Sequence, residues 1–152
     1  MDDKFVEDRM KHSYAVAKKM VEIGKKRGLS REQLEDLFVL GYNHDIGYFV
    51  GDGSHHNIVG SEMLRRNGYK HWEEVFCHGI VTKEYHSLYL QILNEADMQI
   101  DKCGNDVGYE KRLEDIKFRY GEDSSVYKNV TELIKQIKEN EYKGIDEEER
   151  EC

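Results

Sequence analysis

Three places in this 152-residue chain put metal-binding side chain types where apolar ones belong. His12 lies one helical turn before Ala15 and Val16 and two turns after Phe5, which aims it inward. His44-Asp45 closes an apolar helix face and is followed by Ile46. Asp97 comes one turn after Leu93, beside Ala96 and three residues before Ile100. A buried carboxylate without compensation costs several kcal/mol or takes up a proton. Singly, each residue has an ordinary explanation. His12 fits as a hydrogen-bonded core histidine, Asp97 as a cap or an arginine partner, and a His-Asp dipeptide occurs by chance. Gathered in one small core, they would strand several polar groups. One bound cation satisfies them all, and helical bundles build such sites from facing helices.

The elements that must position these residues are helices. Phe5, Ala15, Val16, Met20 and Ile23 recur at helical steps, and the spacing predicts a helix over 4–27 that Gly28 ends. Ser30 with Gln33 is a capping-box signature for a second helix, with Leu34, Leu37, Phe38 and Leu40 inward. It runs into His44-Asp45 and stops near Gly47. Ser54 can cap a third over about 55–67, and a short fourth covers about 71–79. Ser87 can cap a fifth over about 88–101, with Leu88, Ile92, Leu93, Ala96 and Ile100 inward. Two more follow over about 109–120 and 126–141. No strand alternation and no internal repeat are visible. The chain has no proline, which suits uninterrupted helices. The expected fold is all-α, a bundle of six or seven helices. It forms one domain over 1–143, with a core of about 5–101, accessory helices over about 102–143, and an acidic flexible tail over 144–152.

Composition narrows the class. With 23 basic and 31 acidic residues the net charge is −8, a poor basis for coating duplex nucleic acid. No apolar run approaches a membrane span, and the first residues carry no apolar leader. Three widely spaced cysteines without a C-x-x-C do not make a disulfide framework, so a cytoplasmic, reducing setting is expected.

The set His12, His44-Asp45 and Asp97 resembles the ligand set of the HD-domain metal-dependent phosphohydrolase superfamily. The lead-in Arg9-Met10-Lys11-His12-Ser13, the string His44-Asp45-Ile46-Gly47 and the pair Ala96-Asp97 match in order and helical placement over about residues 5–101. Two further strings resemble a binuclear branch. His56-Asn57-Ile58-Val59-Gly60 is similar to the His-x-x-x-Gly opening of its third helix, with His55 the competing neighbour. His78, in Val75-Phe76-Cys77-His78-Gly79, is similar to the histidine of its fourth. The resemblance implies six ligands, His12, His44, Asp45, His56, His78 and Asp97, for one or two divalent transition metals. Iron and manganese come ahead of zinc, nickel and cobalt. Asp45 would bridge the pair, with a bound hydroxide as nucleophile. His71 and His86 fall outside the pattern and read as surface residues.

The implied activity is hydrolysis of a small phosphorylated substrate, a nucleotide or another phosphate ester or anhydride. The superfamily's alternatives are a di-iron oxygenase and a non-catalytic binding or signalling module. One departure concerns charge compensation. Where many members carry a lysine three residues after the motif aspartate, this chain has Tyr48. Arg9 and Lys83 are the candidate substitutes for binding substrate. The six-ligand order is similar to that of enzymes that split diadenosine tetraphosphate symmetrically. The string His78-Gly79-Ile80-Val81 departs from theirs, so that substrate does not carry over. Oligomeric state is not readable.

Overall fold

The computed structural model describes residues 2–51, 55–81 and 84–140, together with the helical backbone of 141–151. Ser54, Lys83 and Cys152 lie outside the described residues. The described residues form seven α-helices in this order: α1 (Asp3–Lys26), α2 (Arg31–Asn43), α3 (His56–Arg66), α4 (Trp72–Cys77), α5 (Leu88–Asp97), α6 (Gly108–Tyr120) and α7 (Ser125–Glu151). A 3-10 turn over Ile46–Phe49 links α2 to α3. Among the described residues the only β pairing is an isolated bridge between Ile100 and Asp106. No described helix is long and apolar enough to cross a membrane.

Local chemistry sets most boundaries. The Asp2 carboxylate accepts from the Lys4 amide at the start of α1. Ser30 and Gln33 form both halves of a capping box at α2. Ser87 Oγ accepts from the Leu90 amide at α5, and Ser124 Oγ from the Tyr127 amide at α7. α5 ends at Asp97, short of the expected 101. The chain turns there, and Asp101 ties down the next loop by accepting from the amides of Cys103 and Asn105. At the far end α7 does not stop near 141 but continues through the acidic run expected as a tail. Glu, Lys and Arg are good helix formers, and no proline interrupts the run.

α1 packs along α2 and α5, and α3 packs on α4. Val16, Met20, Leu37, Leu40, Ile92, Leu93, Ala96 and Ile100 make the main core. A second core joins Met98 to Ile116 of α6 and to Val130, Leu133, Ile134 and Ile137 of α7. The accessory helices thus have their own apolar face and abut the turn after Asp97. Two residues expected inward are largely outside. Phe5 is 39% exposed and Leu88 41%, because each lies near a helix start where few elements cover it.

Candidate metal centre

Five elements deliver the candidate ligands, four of them at a helix end. His12 comes from the inner face of α1. His44 caps the C-terminus of α2, with Asp45 next in the turn. His56 opens α3, His78 caps the C-terminus of α4, and Asp97 is the last residue of α5. Three glycines bring these elements close. A Cβ on Gly41 would sit 2.7 Å from Ala17 Cα, so α2 approaches α1 backbone to backbone. A Cβ on Gly47 would sit 1.9 Å from the His56 carbonyl oxygen, and one on Gly60 2.9 Å from the Gly47 amide nitrogen. The glycines of the two strings are therefore where the first turn of α3 seats on the His44-Asp45 turn.

The six side chains converge. His12 Nε2 lies 2.9 Å from Asp97 Oδ1 and 3.5 Å from Asp45 Oδ2. His44 Nε2 lies 3.2 Å from Asp45 Oδ2 and 3.5 Å from Asp97 Oδ1. On the other side of Asp45, Oδ1 lies 3.1 Å from His78 Nε2 and 3.5 Å from His56 Nε2. His12, His44, Asp45, His78 and Asp97 are all at most 5% exposed. One ligand atom each from His12, His44 and Asp97 fall within 4.8 Å of one another, and so do those of His44, Asp45 and His78. His56 belongs to neither compact triad and stands at the rim, with its side chain 26% exposed.

Three imidazoles are oriented by the backbone. Nδ1 of His12 donates to the Asp101 carbonyl at 2.8 Å, that of His44 to Gly41 at 2.6 Å, and that of His78 to Val75 at 2.5 Å. A carbonyl only accepts, so each Nδ1 carries the proton and each Nε2 faces the centre with its lone pair when the ring is neutral. His44 Nε2 is buried and has no hydrogen-bond partner among the described residues, although two carboxylates crowd it. Oxygens gathered around a nitrogen without bonding to it suit a shared cation, so these residues fit a metal.

The charges of the cluster are coupled. Burial disfavours a charged His44, yet Asp45 and Asp97 outweigh it and raise its pKa to about 10. Burial opposes ionisation of Asp45, but His44 and His78 hold it well below the usual carboxylate range. Asp97 behaves likewise beside His12 and His44. His56 goes the other way: burial lowers it to about 4 against the pull of Asp45, so its ring is neutral. The protein therefore keeps two carboxylates ionised where water cannot reach them freely.

This geometry agrees with a family comparison: the HD domain family model matches residues 9–103. The chain belongs to the HD domain family. HD domains bind divalent metals, and many are phosphohydrolases. No curated protein and no solved structure matches the chain.

Around this HD domain's centre lies a pocket of about 400 Å³. Arg9 and Tyr48 line it together. The Arg9 guanidinium sits 4.7 Å above the Tyr48 ring and reaches Asp45 Oδ2 at 3.4 Å. Tyr48 in turn stacks on His56, centroids 4.1 Å apart. Burial raises the Tyr48 pKa, with Asp45 adding to it, so the phenol keeps its proton. Lys83 is outside the described residues. His55 is exposed and flanks α3 as its N-cap residue, while His56 faces Asp45. His71, expected at the surface, is partly buried, because Tyr89 of α5 packs on its ring and Glu74 lies one turn on in α4. His86 is exposed.

Several contributors escaped the sequence reading. Asn57 Nδ2 donates to the His78 carbonyl at 2.8 Å, and Asn94 Oδ1 accepts from the Gly79 amide at 2.8 Å. From α7, Asn129 Nδ2 donates to the Gly79 carbonyl at 2.8 Å and its Oδ1 accepts from the Val81 amide at 3.1 Å. Arg112 of α6 also lines the pocket, from beyond the matched region. A polar residue on a helix carries no sequence sign of which distant loop it will pin.

Proposed function

We propose that this HD domain is a metal-dependent phosphohydrolase acting on a nucleotide or another small phosphate ester or anhydride. What carries the reading is the convergence of four histidines and two aspartates, all but His56 buried, with His44 Nε2 unpartnered at its centre. His12, His44 and Asp97 would hold one cation. Asp45, His56 and His78 would hold a second, with Asp45 between the two. Iron or manganese suits this nitrogen-rich set, with zinc, nickel and cobalt also compatible. A bound divalent metal supplies Lewis acidity, which acidifies water and offsets charge on phosphoryl oxygens.

The chain's own residues supply the rest. Water acidified by the metal would be the nucleophile. Cys77 stands beside His78 in sequence, but burial pushes its thiol up, which disfavours a reactive thiolate. Asp45 accepts from Arg9, lies 3.1 Å from His78 Nε2, and stays ionised beside the reacting position. Arg9 offers a guanidinium to phosphate oxygens, and Tyr48 offers a hydroxyl donor in place of a lysine.

The test is elemental analysis of purified protein, followed by assay of phosphate and nucleotide products from nucleotides and dinucleoside polyphosphates with each metal under low oxygen. Bound metal together with metal-dependent hydrolysis is expected. Metal-loaded protein that hydrolyses none of them would overturn the reading.

A further inference from the structure

Arg112 is an unusual residue for an accessory helix. It projects from α6 into the same pocket as Arg9, His12 and Asp45. Its Nε and Nη1 are buried, and neither has a hydrogen-bond partner among the described residues. A guanidinium cannot shed its proton to relieve burial, so unmet N–H groups there are costly. Burial pushes the Asp101 pKa up, but its loop hydrogen bonds, and after them the nearby Arg112, hold it below the usual carboxylate range. Asp101 is already engaged: its Oδ1 accepts from the Cys103 and Asn105 amides, and its Oδ2 from Asn105 Nδ2. The pocket carboxylates Asp45 and Asp97 are bonded to His78 and His12.

We propose, resting on the phosphohydrolase reading above, that Arg112 binds a phosphate group of the substrate, which makes α6 part of the binding site. A planar fork with open N–H groups matches phosphate oxygens. An anion in the pocket satisfies those groups and neutralises the charge at once. Arg112 and Arg9 then supply the positive charge that a lysine at position 48 would otherwise provide. The HD region alone, residues 9–103, does not contain this arm of the site.

The decisive variant is Arg112→Met, which keeps length and removes the charge. Inorganic phosphate is titrated calorimetrically into wild-type and variant protein, with and without metal. Metal content and unfolding temperature are measured on the same samples. The phosphate Kd is expected to rise about tenfold to a hundredfold, the loss of one charge-assisted contact. Metal per chain should be unchanged, and the ligand-free variant should melt at the same temperature or higher, since a buried unpaired charge is gone. Arg112→Lys should restore part of the affinity. Arg119→Ala, which removes an exposed partner of Asp115 on the same helix, should leave the Kd alone.

Wild-type affinity in Arg112→Met overturns the proposal. So does a wild-type protein that binds no phosphate, or a variant that loses stability and metal along with phosphate, since that is a structural role. Wild-type protein that holds no metal and hydrolyses nothing sinks the phosphohydrolase reading instead. The metal-free titrations then still decide whether Arg112 is a phosphate ligand.

Discussion

Replacing Gly47 by alanine tests how the site is assembled. The added methyl would lie 1.9 Å from the His56 carbonyl oxygen and 2.7 Å from His56 Cα. Contacts of this kind do not fall below 3.0 Å, so the first turn of α3 must retreat by about 1 Å or more. Gly47 has no positive φ, so the contact alone is at issue. His56 Nε2, now 3.5 Å from Asp45, moves with its backbone and leaves ligating range. Overpacking of this size costs about 1–3 kcal/mol of stability. A displacement of about 1 Å at a catalytic group costs about a hundredfold in rate. Denaturant unfolding, elemental analysis and phosphate release on the same preparation read the three effects. The expected result is a lowered midpoint, a fall from two metals per chain toward one, and activity reduced about a hundredfold. Gly28→Ala is the control. Gly28 has φ +74° with open space around it, so alanine there costs about 1 kcal/mol of backbone strain and no metal. Gly47→Ala with wild-type midpoint, metal content and turnover would refute the claim that this seam places His56.

Asp45→Ala should abolish both metal retention and phosphate release, because Asp45 lies within 3.5 Å of all four imidazole Nε2 atoms. Full activity in that variant would sink the mechanism. His56→Ala and His78→Ala should each lower metal content from two per chain to one, while exposed His55→Ala should not. Elemental analysis that shows the reverse would move the ligand to His55. Asn129→Ala removes two hydrogen bonds that hold the turn after His78, so it should cost about 1–3 kcal/mol in chemical denaturation and weaken metal retention.

By itself the sequence located the helices, apart from the ends of α5 and α7, and marked His12, His44, Asp45 and Asp97 as inward polar residues. Helical periodicity is local, so a polar residue one turn from leucine or valine betrays itself without any knowledge of neighbours. Capping residues are equally local, which is why Ser30 and Ser87 were legible. Periodicity says that a side chain faces inward but not what it faces. The choice between His55 and His56 depends on where α3 begins, and that is set by the Gly47–Gly60 seam between two elements. Phe5 and Leu88 carry the inward pattern yet stay exposed, since no partner helix covers those ends. Arg112 and Asn129 have no signature at all. They reach the site only because the second apolar core docks α6 and α7 beside the turn that follows Asp97. Tertiary structure decided those contributions because they arise from the crossing of helices far apart in the chain, which no short-range spacing encodes.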